Sequence, residues 1–304
     1  MAVITPALIT SLRTGFSRAF QDSLSATPTD WAKVATRVPS SSASNTYGWL
    51  GQYPALREWI GERVLKDMAA QGYQIQNKLY EGTVAVRRVD IEDDNVGIYT
   101  PLFAEMGRAA ATHPDQLVFE LLKKAHETVC YDGQNFFDTD HPVYPNVDGT
   151  GAPALVSNND VPATNPGPAW YLMDTSRALK PLLFQERTQP ELEALTSSQD
   201  EGVFMRDEYR YGIRYRCNAG LGFWQMAYRS QQPLDAEHFN AAIAAMQSIK
   251  ADGGRPLGIR PTVLVVPPSL RAAAFQLVKA ERDAAGASNV NFGVVDVIVS
   301  PWLV

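Results

Sequence analysis

Three stretches of the chain combine residue types and spacings that could support chemistry. The densest is the run from Cys130 to Gly149, where Asp138, Asp140 and His141 set two carboxylates beside an imidazole. Such a set could hold a divalent metal or pair an acid with a base. As a calcium loop it fails, because after Asp138-x-Asp140 the fifth position is Pro142 and the sixth, Val143, is not the glycine that a sharp turn needs. As a catalytic pair it lacks a nucleophile elbow, since no G-x-S-x-G string occurs. The simpler reading is that Asp and Asn side chains cap tight turns while Phe136, Phe137 and Tyr144 anchor the loop.

The second stretch, His126-Glu127 on an expected helix, begins like a zinc-protease motif, but the position of the second histidine is Cys130. Zinc needs three or four ligands, and no further ones are in view. The third, Gly220-Leu221-Gly222, opens like a dinucleotide fingerprint, yet Gln225 stands where the third glycine belongs and the segment patterns as strand. Arg87-Arg88 and Arg210, Arg214 and Arg216 are the local basic concentrations. Without a larger one-signed patch they are expected to salt-bridge to carboxylates rather than to grip phosphate. No catalytic residue, metal ligand or cofactor site is therefore assigned, and the chain is not expected to be an enzyme.

Composition agrees. The 304 residues are 45% apolar and 20% charged, with a formal net charge of −6. An acidic balance argues against a dedicated nucleic-acid binder, whose affinity comes from excess Lys and Arg. No apolar run reaches the length of a membrane span. Cys130 and Cys217 stand far apart, which excludes a disulfide framework and suits a reducing compartment.

The elements that would position these residues follow from pattern. Residues 1–46 hold 15 Ser or Thr and read as an arm rather than a core element. Within it Thr5 can cap a helix that has Pro6 at its first position, with Leu8, Leu12, Phe16 and Ala19/Phe20 on one face. That stripe must be buried, either on its own domain or on a neighbouring subunit. Residues 47–80 are rich in aromatics without a clean period. A strand is expected at 83–87, followed by the acidic run Glu92-Asp93-Asp94 as the dipole complement of a helix. One long kinked helix, or two in tandem, then runs to about Glu127 past Pro114. Residues 130–168 are loop. Tyr209 to Cys217 alternate with arginines, and a turn at Asn218-Ala219-Gly220 would return the chain through Leu221 to Tyr228 as a hairpin. Helix 235–249, strand 262–266, helix 269–281 and strand 294–299 complete an α+β or α/β layer.

Several long strings in fixed order resemble one family across nearly the whole chain. They are Ser44-Asn45-Thr46-Tyr47-Gly48-Trp49-Leu50-Gly51, the run from Tyr80-Glu81-Gly82-Thr83 to Ile98-Tyr99, the Cys130–Gly149 loop, Pro181–Glu191 and Ala219–Ala227. Together they resemble the major head subunit of Mu-like tailed phages and prophages. The resemblance implies an α+β capsid protein of the Hong-Kong-97 type, a homo-oligomer of pentamers and hexamers in an icosahedral shell around double-stranded DNA. It places the protein in the virion, assembled in the bacterial host cytoplasm with portal and scaffold or protease proteins, with a possible decoration protein and no membrane.

On that plan residues 1–46 form the N-terminal arm and 47–80 an extended loop. Residues 81–129 and 184–230 form a peripheral domain, and 130–183 and 231–304 an axial domain. The strong strand pair preceding the final strand–helix–strand suggests a permuted order of the peripheral strands. Leu8, Leu12, Phe16, Tyr47, Trp49, Tyr53, Trp59, Arg87 and Arg88 are the expected inter-subunit contacts, because buried aromatics carry interface energy. Deleting residues 1–46 is expected to leave folded subunits that cannot close shells. The alternatives are a prokaryotic nanocompartment shell and a metal-dependent hydrolase using Asp138, Asp140 and His141.

Overall fold

The computed structural model describes residues 4–48, 50, 72–93, 96–197, 199–282 and 286–304. In chain order the elements begin with α1 (Pro6–Ala26), α2 (Trp31–Val34), β1 (Ala35–Pro39), β2 (Ser44–Thr46), β3 (Gln74–Gln76) and β4 (Lys78–Arg87). They continue with α3 (Arg88–Glu92), α4 (Tyr99–Lys124), β5 (His141–Val143), β6 (Ala154–Val156), β7 (Asn159–Asp160), β8 (Trp170–Met173) and β9 (Leu182–Leu195). The last are α5 (Glu201–Arg206), β10 (Glu208–Leu221), β11 (Ala227–Ser230), α6 (Ala236–Ser248), β12 (Val263–Val266), α7 (Arg271–Val278) and β13 (Asp296–Val299).

Two sheets organise the molecule. The first has the order β1-β9-β10-β4, and the second β13-β12-β8-β11-β7. Of the first sheet, β9 and β10 lie in the chain between β8 and β11 of the second, while β1 and β4 precede β8. Its long members β9 and β10 have 14 residues each, which gives each a span of about 46 Å. α4 spans 26 residues, about 39 Å, and is one continuous helix that keeps Pro114 in its interior and buried. One core, containing Trp170, Tyr171, Phe136, Phe137, Phe184, Trp224 and Phe239, joins both sheets and the second half of α4. A second core, around Phe16, Phe103 and Tyr211, lies under α1 and the first half of α4.

α1 begins as its sequence dictates, with the Leu8 amide donating to the Thr5 hydroxyl at 3.2 Å. Its apolar stripe packs on its own chain, with Ile9, Phe16 and Phe20 buried and Leu8 and Leu12 half-buried. Phe16 stacks on Phe103 at 4.3 Å between ring centroids and meets the edge of Tyr211 at 5.4 Å, and Phe20 is fully buried. Residues 31–39 go further into the body, with Val34 and Ala35 buried and β1 paired in parallel with β9 from Ala35↔Leu182 to Pro39↔Glu186. From α4, the buried Asp115 carboxylate accepts the Trp31 amide at 2.6 Å and the Asp30 amide at 3.0 Å, capping α2. The arm is therefore built into the core. Its high Ser and Thr content falls on the solvent face of α1 and on the turn after β1, while the few large apolar residues face inward.

Two further expectations are corrected. Residues 209–228 are not a hairpin: β10 runs without a turn from Glu208 to Leu221, antiparallel to β9 and β4, and β11 belongs to the other sheet. Gly220 lies in the strand because Ile75 packs on it, a Cβ there falling 2.0 Å from the Ile75 Cδ1 atom. The acidic residue Glu92 closes α3 and pairs with Arg88 at 3.2 Å, so it does not open the following long helix. The aromatic face expected for 209–217 is present, with Tyr209, Tyr211, Tyr215 and Cys217 all buried.

Candidate assembly surfaces

The Cys130–Gly149 loop is held by one carboxylate. Asp132 accepts from the Cys130 thiol at 3.0 Å and from His141 Nδ1–H at 2.7 Å. The His141 ring lies flat on Trp224, with centroids 3.9 Å apart and 8° between planes. Burial pushes the Asp132 carboxyl up, but the hydrogen bonds from His141 and Cys130 outweigh it and hold it below the usual range. Burial and the neighbouring Asp132 push the Cys130 thiol up and keep it protonated.

Cys130, Asp132 and His141 are the one mixed donor group among the described residues whose ligand atoms lie close together, all within 4.8 Å. Each Asp132 oxygen is already occupied by a proton donor, so a metal would have to displace both hydrogens. The arrangement ties the loop together. The acid–base set considered from the sequence is divided: His141 engages Asp132, whereas Asp138 accepts the backbone amides of Asn135 and Thr139. The turn-capping reading of this loop is the one the geometry supports. Gly222 has an equally structural reason, since a Cβ there would lie 2.6 Å from the Pro181 carbonyl oxygen.

Arg87 and Arg88 are paired within the chain, whereas Arg210, Arg214 and Arg216 do not show the expected ion pairs among the described residues. Arg87 donates to both Asp90 oxygens at 2.9 and 2.8 Å, and Tyr99 donates to the same carboxylate at 2.5 Å. Arg88 reaches Glu92 and, at 3.9 Å, Asp207. Tyr47 is buried and donates its hydroxyl to Gln185 Oε1 at 2.7 Å. Trp49, Tyr53 and Trp59 lie outside the described residues. The ends of the segment that carries them are tied together: β2 pairs with β3 from Ser44↔Gln76 to Thr46↔Gln74, and the Tyr47 amide donates to the Tyr73 carbonyl at 2.9 Å. Leu8 and Leu12 are half-buried at the edge of the core that Phe16 enters.

Sequence reasoning missed the turn between β9 and β10. There Val203 is buried, while Phe204 is 81% and Met205 69% exposed. The four-residue string Gly202-Val203-Phe204-Met205 among charged neighbours was the available signal.

Comparison with known proteins supplies the frame for these surfaces. The family model for the Mu-like prophage major head subunit gpT matches residues 9–303. The major capsid protein of Escherichia phage Mu is 48% identical over 304 residues, covering 99% of this chain and all of that one. The Mu-like prophage FluMu major head subunit of Haemophilus influenzae is 50% identical over 283 residues, covering 92% of each. Among solved structures, the procapsid of bacteriophage JBD30 superposes with a TM-score of 0.88 and 61% identity, covering 98% of this chain and 100% of its own. The α+β capsid fold implied by the sequence is thus the fold adopted, and the relatives are structural head proteins rather than hydrolases. Near-complete coverage in both directions shows that the chain belongs to the Mu-like prophage major head subunit gpT family.

Proposed function

We propose that this protein builds the icosahedral head of a tailed phage or prophage, as pentamers and hexamers that enclose double-stranded DNA. The observation that carries this reading is the end-to-end likeness to a subunit of the JBD30 procapsid. Its role is structural, its place is the virion, and assembly takes place in the host cytoplasm with portal and scaffold or protease proteins and, in the finished head, a decoration protein.

The physical design suits that role. Two sheets joined along a helix of about 39 Å form the body, in which hydrogen bonds from Cys130 and His141 to Asp132 tie the long loop. In the proposed division, residues 1–46 act as the N-terminal arm and 47–80 as the extended loop. Residues 81–129 with 184–230 form the peripheral part, and 130–183 with 231–304 the axial part. The long strands β9 and β10, which lie in the chain between β8 and β11 and ahead of the last two axial strands, favour the permuted order. The pairing of β11 with β8 favours counting residues 227–230 with the axial part. A net charge of −6 favours enclosing DNA without gripping it, because packaged polyanion is not held by surfaces that lack excess cations. Leu8, Leu12, Trp49, Tyr53 and Trp59 remain contact candidates.

Negative-stain microscopy of the full chain, alone and with its scaffold, tests the reading. Closed shells or capsomers are expected. A chain that stays monomeric in both settings, and instead shows a hydrolytic activity lost in His141→Ala, would overturn it.

A further inference from the structure

α1 contains a glycine that no contact among the described residues explains. Gly15 sits inside a helix of 21 residues, where glycine lowers helix stability relative to alanine. A Cβ built on it meets nothing within 4 Å among the described residues. The free space opens into a groove of about 200 Å³ lined by Ser11, Leu12, Gly15 and Phe16 from α1 and by Val96, Gly97 and Thr100 before and within the first turn of α4. Gly97 likewise faces open space. Neither glycine has a positive φ or a close internal contact among the described residues, and together they leave the groove open on both walls.

The same end of the first sheet carries an apolar projection. Phe204 is the most exposed phenylalanine among the described residues, and Met205 follows it. α5 is braced from behind. Val203 is buried in the core beside Tyr209, the Asp200 carbonyl accepts the Val203 and Phe204 amides, and the Arg88 amide donates to the Asp207 carbonyl. The two apolar side chains are therefore presented on a fixed mount.

We propose that the Gly15 groove receives the Phe204–Met205 tip of a second copy of this chain. The contact rests on the shell-building reading and deepens it by naming two surfaces that meet. A groove of that volume suits one large apolar side chain, and an aromatic seated in a pocket is the form in which interfaces concentrate their energy. Charge assists: α1 exposes Arg13 and, beside its partner Asp22, Arg18, whereas the tip opens with Asp200 and Glu201 and closes with Arg206 followed by Asp207. Projection and groove are different surfaces, so the contact is heterologous, and such contacts close into rings or extend into arrays.

The test uses the full chain under conditions where the parent assembles. Gly15→Leu fills the groove from within, and Phe204→Ser removes the inserted group. Both variants should fold, Gly15→Leu melting at or above the parent, and both should need roughly tenfold more protein to assemble, a tenfold step corresponding to about 1.4 kcal/mol. Particles co-assembled from Gly15→Cys chains and Phe204→Cys chains should give, on mild oxidation, a covalent dimer with one of each. Cys130 and Cys217 are buried and leave the background clean. Normal assembly of Gly15→Leu, or intact mixed particles without the covalent dimer, overturns the contact. A parent chain that never assembles, even with scaffold, refutes the shell reading itself and the contact with it.

Discussion

Gly107 of α4 lies so close to Phe20 of α1 that a Cβ built on it would fall 2.3 Å from the Phe20 carbonyl oxygen. The two helices cross backbone to backbone at this point. The approach sets the depth at which Phe16 and Phe20 enter the core. Gly107→Ala should gain about 1 kcal/mol of helix propensity and lose more, about 1–3 kcal/mol, to the strain of parting two packed backbones. The expected net result is a lower melting temperature, with amide protection lost first in α1. An unchanged melt with α1 still protected would show that the crossing relaxes at no cost.

The Asp132 lock makes a second prediction, with a definite pH sign. The folded carboxyl titrates below its unfolded value, so its contribution is present above about pH 4 and is lost as pH falls through the folded pKa. Asp132→Asn keeps the size but cannot accept from both Cys130 and His141, leaving one buried donor unpaired at a cost of about 1–3 kcal/mol. The gap between parent and variant in urea titrations should be full at neutral pH and shrink as the pH falls below 4. EDTA should leave the parent's melt unchanged. A drop on chelation would mean that Cys130, Asp132 and His141 hold a metal after all.

Asp115 carries the opposite sign. Burial raises its pKa against the amide hydrogen bonds from Trp31 and Asp30, so the folded state holds a proton more readily than the unfolded one. Its effect on stability therefore becomes less favourable as pH rises through the folded pKa. One oxygen, Oδ1, takes both short amide bonds, and an asparagine carbonyl can take its place. Asp115→Asn should match the parent in acid and equal or exceed it at neutral pH, whereas Asp115→Ala should lose about 1 kcal/mol of capping at every pH. Equal pH slopes for parent and Asp115→Asn would refute the assignment.

What the sequence made legible was local. The Thr5-Pro6 start of α1, the capped start of α6 at Asp235 and the alternating tyrosines of β10 follow from side-chain chemistry within a few residues of each site. Gly220 reads as a turn residue until Ile75, far off in sequence, is seen to occupy the place of its side chain. Asp132 was passed over in favour of Asp138 and Asp140, because adjacency in sequence suggested the partners of His141 while the bend of the chain chose another. Phe204 and Met205 follow no period, so their short uncharged string was the one signal in the sequence, and their exposure is what marks them in the structure.

The arm yields the last prediction, in which the structure reverses the expectation drawn from the sequence. Ile9, Phe16, Phe20, Val34 and Ala35 are buried, and β1 forms one edge of the first sheet. Each large apolar side chain contributes about 1.5–3 kcal/mol when buried, and a whole domain has a net stability of only about 5–15 kcal/mol. Removing residues 1–46 would therefore strip several kilocalories from the core, uncover Phe103 and Tyr211, and leave β9 without its parallel partner. The truncated chain should be recovered aggregated or with molten near-ultraviolet dichroism, rather than as folded subunits unable to assemble. Phe16→Ala in the full chain, costing about 3–5 kcal/mol, should move the melt the same way to a lesser degree. A truncated protein that stays soluble and melts cooperatively near the parent temperature would show instead that the arm is an accessory to the body.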